Sequence, residues 1–147
     1  MSFDLVLINP PNANGPCIMR LGLLTLASYV REQGFSVSIL SGDLQAIKQQ
    51  LTDLDLGKSL VGVTATTDAV FVAYELCDFI KSLHPEALCV LGGNHATSLP
   101  EQTLRESHFD LLVMGEGELT LTEILQTWRE GGELKHIQGV LDAAAAN

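Results

Sequence analysis

The sequence predicts one α/β domain built on a doubly wound parallel sheet of five strands, with helices on both faces. Three observations carry that expectation. Apolar runs of strand length alternate with segments of helical period along the whole chain, the mark of successive βαβ units. The 147 residues are enough for one core of ordinary size without metal or disulfide staples. Four of the apolar runs end in small or hydroxyl-bearing corners: Asn9-Pro10-Pro11, Thr64-Ala65-Thr66-Thr67, Gly92-Gly93-Asn94-His95 and Gly115-Glu116-Gly117-Glu118. Open parallel sheets bind ligands outside the carboxyl ends of their strands, so these corners predict a binding crevice.

Each element has its own signal. Asp4 to Asn9 (DLVLIN) reads as a buried strand, and Leu21 to Gln33 as a helix with Leu23, Leu24, Leu26, Ala27 and Val30 on one face and Gly34 past its end. Phe35 to Leu40 alternates as a second strand, Leu44 to Leu54 is a more polar helix, and Leu60 to Thr64 is a third strand. Asp68 to Leu83 follows as a helix with its acid in the first turn, where the dipole favours it. Ala87 to Leu91 is a fourth strand, and Leu99 to Glu106 a short helix with Pro100 where a first turn tolerates it. Phe109 to Met114 is a fifth strand, and Leu119 to Arg129 a last helix ended by Gly131-Gly132. Ile137 to Leu141 is a candidate edge strand. The expected domain covers residues 1–141, and residues 142–147 read as a tail or linker to a further C-terminal domain.

Right-handed crossovers give the expected strand order 2-1-3-4-5, the flavodoxin-like (Rossmann-like) arrangement. In that order all four corners become neighbours along one edge.

Composition narrows the partners. A formal charge of −10 with only eight Lys and Arg argues against a surface that tracks nucleic-acid phosphates. No apolar run approaches about 18 residues and no signal-peptide pattern opens the chain, so neither membrane nor export is expected. Three cysteines, Cys17, Cys77 and Cys89, fit neither a disulfide framework nor a zinc or iron–sulfur spacing and suit a reduced, cytoplasmic setting. Cys77 and Cys89 read as buried packing residues.

The first corner tests rival ligands. A dinucleotide fold needs GxGxxG after a strand, whereas Pro10 and Pro11 have no amide hydrogen for a phosphate. A phosphoryl receiver needs carboxylates where this chain has Asn9 and Thr64. Glu116 and Glu118 repel a highly charged phosphate ligand but accept hydrogen bonds from amides, so the corners suit a large, amide-rich, nearly neutral ligand. Gly62, Ala65, Gly92, Gly93 and Gly115 remove bulk at or near strand ends, which either opens room for a ligand or serves tight strand-to-helix turns.

Taken together, NPP at 9–11, LGLLTLASYVREQGFSVSIL at 21–40, VGVTATT at 61–67, LGGNHAT at 91–97 and MGEGELTLTEIL at 114–125 resemble the N-terminal cobalamin (vitamin B12)-binding domain of B12-dependent radical SAM enzymes. Methyltransferases and the anaerobic Mg-protoporphyrin monomethyl ester cyclase type are among them. The resemblance implies a corrin, bound as hydroxo- or methylcobalamin, over the carboxyl edge of the sheet with its nucleotide tail in a slot beside strands one, three and four. It implies cofactor contacts from Asn9, Pro10, Pro11, Leu21, Gly22, Thr64, Thr66, Thr67, Gly92, Gly93, Asn94, His95, Gly115, Glu116, Gly117 and Glu118.

Other cobalamin domains carry DxHxxG after the first strand, whose histidine ligates cobalt. Here Asn9, Pro11 and Asn14 stand where its Asp, His and last Gly would fall. The resemblance therefore implies a base-off corrin without a protein histidine, with His95 a loop hydrogen-bonding residue and no metal ligand or catalytic residue in the chain. His84, His108 and His136 are expected outside the crevice.

Radical SAM chemistry needs a cysteine triplet such as CxxxCxxC, which these 147 residues lack. An iron–sulfur cluster and S-adenosylmethionine are therefore expected only in a separate catalytic domain, joined in cis or in trans. Two other readings stand beside this one: a relative that keeps the fold, binds no cofactor and serves as an interaction module, and a flavodoxin-like domain holding a flavin or another small molecule.

Overall fold

Period-two alternation within short apolar strands decides the architecture. In Leu5–Asn9 (β1), Leu5 and Leu7 face one side and Val6 and Ile8 the other, and all are buried. A strand buried on both faces needs a cover on each, which the intervening helices supply. The computed structural model describes residues 2–11, 20–115 and 117–143, with the side chains of Thr67, Asn94 and His95 left out of that description.

After β1 come Leu21–Glu32 (α1), Val37–Ser41 (β2), Leu44–Thr52 (α2) and Leu60–Thr64 (β3). A 3-10 turn at Thr67–Ala69 leads into Val70–Leu83 (α3), followed by Leu88–Gly92 (β4), Asn94–Ser98 (α4), Pro100–Glu106 (α5), Leu111–Val113 (β5), Glu118–Arg129 (α6) and Val140–Asp142 (β6). Sheet order is β2-β1-β3-β4-β5-β6; the first five strands are parallel and β6 runs antiparallel to β5. The expected doubly wound sheet is thus present with six strands rather than five. The hairpin-like return of residues 130–139 brings β6 to the open edge, where Val140 pairs with Val113. It starts later than the apolar run suggested, because Ile137 is held in turns. It extends past Leu141 because Asp142 pairs with Leu111.

Two other elements differ from the sequence expectation. The expected helix from Leu99 to Glu106 is preceded by a separate short helix, α4, and Pro100 starts α5 at the break. The fifth strand shortens to Leu111–Val113; just before it, Asp110 N donates to Cys89 O at 2.9 Å, and Asp110 Oδ2 accepts hydrogen bonds from Cys89 N at 2.8 Å and Lys81 Nζ at 2.6 Å. The Asp43 side chain caps α2 through Ala46 N at 2.8 Å, the usual role of Asp at that position.

The core has two layers. On one face α1 and α6 cover Leu5, Leu7, Leu60, Val90, Leu111 and Val113. On the other, α2, α3 and α5 cover Val6, Ile8, Val61, Val63, Cys89, Leu91 and Leu112. Each buried leucine or valine contributes about 1.5–3 kcal/mol relative to exposure. Among the described residues no helix is long and apolar enough to cross a membrane.

Candidate functional site

Strand parity opens a gap in the first of these layers. Gly62 pairs with Leu7 on one side and Val90 on the other, on the face covered by α1 and α6, where its neighbours carry full side chains. Gly92, two residues beyond Val90, faces the same way. The two missing side chains leave a cavity of about 430 Å³ between the sheet and the amino-terminal ends of α1 and α6, within the range of small-molecule sites. Its deep walls are apolar: Leu7, Leu23, Leu26, Val90, Val113 and Leu121. Its mouth lies at the carboxyl edge of the sheet and includes Arg20, Gly22, Thr64, Gly93, Gly115, Gly117 and Glu118. A Cβ on Gly62 would sit 3.0 Å from Leu7 Cδ2 and occupy the floor of this slot.

The corners are tied to one another. Ala65 N donates to Gly92 O at 3.1 Å, joining the ends of β3 and β4. Gly93 has φ +100°, and a Cβ there would lie 2.7 Å from Ala65 O and 2.9 Å from Thr64 Oγ1, so only glycine lets the third corner pack against the second. Thr97 Oγ1 donates to Gly93 O at 3.2 Å and accepts from Gly115 N at 3.1 Å, joining the third corner to the fourth.

The first corner is braced from α1. Arg20, the N-cap residue of α1, donates through one guanidinium nitrogen to Asn9 Oδ1 at 2.8 Å and Pro10 O at 3.1 Å. Asn9 is fully buried and its amide also donates to Ser41 Oγ at 3.3 Å, so it is a brace behind the mouth. The Thr66 hydroxyl donates to Asp68 Oδ1. That bond, aided by the Arg20 charge, holds the Asp68 carboxyl below its usual range.

Of the residues expected at the site, Gly22, Thr64, Gly92, Gly93, Gly115, Gly117 and Glu118 line the cavity. Leu21, which is exposed, and Asn9, Pro10, Pro11 and Thr66 fall outside the lining. Glu116 lies outside the described residues, as do the side chains of Thr67, Asn94 and His95. Sequence reasoning noted the small size of Gly62 without assigning it to the site. It missed the apolar walls, which read as ordinary core, and Thr97, whose hydroxyl at the end of LGGNHAT was the available signal.

Elsewhere, Cys77 and Cys89 are fully buried between α3 and β4, as expected for packing residues. Hydrogen bonding to Cys89 and burial push the Cys77 thiol far above its ordinary value, which keeps it unreactive. Cys17 lies outside the described residues. His108 and His136 are largely exposed, whereas His84 is mostly covered and lies 3.8 Å from Glu86; all three are away from the cavity lining. Among the described residues no group of three His, Cys, Asp or Glu side chains could hold a metal ion.

Comparison with known proteins identifies what this arrangement belongs to. The family model for the B12 binding domain matches residues 14–125, from the first loop to within α6. The chain belongs to the B12-binding domain family. An uncharacterized methyltransferase of Pyrococcus horikoshii is 40% identical over 128 residues, covering 82% of this chain and 27% of that protein. The anaerobic magnesium-protoporphyrin IX monomethyl ester cyclase of Rubrivivax gelatinosus is 30% identical over 113 residues, covering 72% of this chain and 20% of its own length.

Among solved structures, the radical S-adenosylmethionine methyltransferase TsrM of Kitasatospora setae, with cobalamin and a [4Fe-4S] cluster bound, superposes with a TM-score of 0.79. The identity is 25%, over 97% of this chain and 29% of the enzyme. The chain thus spans about a quarter of these relatives, and as a B12-binding domain it corresponds to the cobalamin module of radical SAM enzymes.

Proposed function

We propose that this B12-binding domain holds cobalamin base-off, with the nucleotide base in the slot over Gly62 and the corrin across the carboxyl edge, for methyl transfer or related radical chemistry carried out by a separate radical SAM domain. The observation that carries the reading is the gap at Gly62. Its strand neighbours on that face, Leu7 and Val90, carry apolar side chains, and the gap opens to an apolar slot whose floor a Cβ on Gly62 would fill. An aromatic base suits such a slot, and amide-bearing corrin side chains suit a mouth of exposed backbone, the Thr64 hydroxyl and the Glu118 carboxylate.

Within this reading each residue has a stated task. Gly62 and Gly92 admit the base, while Leu7, Leu23, Leu26 and Val113 exclude water from it. Gly93 and Thr97 hold the corners at fixed spacing. Residues 10–19 contain no histidine, so the first loop offers cobalt no imidazole and the released base is free to enter the slot. When bound, the cofactor supplies a cobalt centre able to receive and hand on a methyl group.

Reconstitution tests the function. Purified protein mixed with hydroxocobalamin and desalted is expected to retain corrin with the visible spectrum of the base-off form. Loss of all corrin on desalting at micromolar protein would favour a fold kept without its cofactor. A spectrum of histidine coordination would overturn the assignment of the cobalt face.

A further inference from the structure

We propose that Arg20 recognises the phosphodiester of the cofactor's nucleotide tail, and that it thereby makes the domain select complete cobalamin over a corrin lacking the nucleotide. The inference rests on the reading that the base enters the slot over Gly62.

The cavity has an apolar end and a polar mouth, and cobalamin has its single anion between base and ring. With the base against Leu7, Leu23 and Val90, the phosphodiester cannot follow into the apolar walls, because an ion stripped of water there costs several kcal/mol. It stops at the mouth. Among the described lining residues, Arg20 is the only cation and Glu118 the only anion, and they come from different corners, the first from the start of α1 and the second from the start of α6. The phosphate is therefore drawn to the α1 side and away from α6.

The rest of the chain sharpens this. Only eight Lys and Arg offset eighteen acids. Arg31, Lys81, Arg105 and Arg129 lie in the last turns of their helices, toward the opposite edge of the sheet, and Lys58 precedes β3 there. Residues 10–19, which complete the first loop, contain no Lys or Arg. Arg20 is also held in place: its bonds to Asn9 Oδ1 and Pro10 O anchor the guanidinium at the end of β1, so its charge is fixed at the mouth.

The test compares three corrins on wild type, Arg20→Gln and Arg20→Lys by equilibrium titration: hydroxocobalamin, dicyanocobinamide, which lacks phosphate and base, and cobinamide phosphate, which lacks only the nucleoside. Arg20→Gln is expected to weaken hydroxocobalamin and cobinamide phosphate by about 10- to 100-fold, as for loss of a hydrogen bond to a charged group, and dicyanocobinamide by less than about threefold. Arg20→Lys keeps the charge but loses the planar guanidinium and is expected to recover part of that loss.

Equal weakening of all three corrins would mean that Arg20 only braces Asn9 and Pro10, and would overturn the proposal. So would unchanged affinity for hydroxocobalamin. Thermal unfolding of both variants reports whether the first corner survives; if Arg20→Gln does not fold, the Arg20→Lys series decides by the same contrast between ligands. Failure of wild type to bind hydroxocobalamin would instead overturn the underlying cobalamin reading, and this proposal with it.

Discussion

Replacing Gly62 by valine separates the slot from the fold. The added Cβ would meet Leu7 Cδ2 at 3.0 Å, and that methyl is the end of a flexible side chain beside an open cavity, so a shift of a few tenths of an ångström relieves the contact. A strand interior also favours valine over glycine, by about 0.5–1 kcal/mol or more. The two effects oppose each other, and net stability is expected to change by less than about 1 kcal/mol, within about 4 °C in Tm.

Binding has no such compensation. A bicyclic aromatic base, taken as burying about 150–250 Å² like a large aromatic side chain, gains about 4–6 kcal/mol in the slot at about 25 cal/mol per Å². Blocking entry therefore weakens cobalamin by about 10³-fold or more. Corrin retention after desalting and equilibrium titration measure the loss, and dicyanocobinamide, which brings no base, serves as control with less than about tenfold weakening expected. A folded Gly62→Val protein that binds hydroxocobalamin within about threefold of wild type would refute the tail-in-slot assignment.

Other perturbations read other parts of the structure. Gly93→Ala places a Cβ 2.7 Å from Ala65 O at a φ of +100°, so it is expected to lower stability by about 2–4 kcal/mol in denaturant unfolding. The larger Gly93→Leu would therefore test the corner as much as the ligand. Thr97→Val removes the hydroxyl joining Gly93 O to Gly115 N and is expected to cost about 0.5–1.5 kcal/mol, with Thr97→Ser restoring it; amide exchange at Gly115 is the direct readout.

At the opposite edge, burial pushes the Asp4 carboxyl up. Hydrogen bonds from Ser36 N and Oγ and from Arg129 outweigh it and leave Asp4 below its usual value. A carboxylate lowered on folding stabilises the protein above its unfolded pKa of about 3.9 and loses that contribution as pH falls through the folded value. Asp4→Asn should thus narrow the Tm gap to wild type as pH drops below about 4, and a constant gap from pH 7 to pH 3 would remove the role of that charge.

Much of this is legible in the sequence. Period-two and 3.6-period runs are local, so β1 to β4 and the long helices lie within a few residues of where the sequence places them. Glycine and hydroxyl residues mark strand ends because turns select for them, and seven of the expected site residues do line the cavity. The slot was less legible. Leu7, Val90 and Val113 belong to the same alternating pattern as the core, and only the pairing of Gly62 between Leu7 and Val90 shows that the layer is open there. Register is a tertiary fact. The same holds for Arg20, whose contact with Asn9 spans a loop of ten residues, and for β6, whose antiparallel pairing depends on where residues 130–139 turn back.

The staple made by Asp110 has a consequence for how the domain could change. Lys81–Asp110 and Arg129–Asp4 fasten helices to the strand starts at the amino edge, whereas backbone bonds and the Thr97 hydroxyl join the corners at the mouth. Cohesion and recognition therefore occupy opposite ends of the sheet. Loops at the mouth can be exchanged against a lower edge that already holds itself together, which makes the domain a graftable platform: its corners can be rewritten for another tail while the clamp below is left untouched.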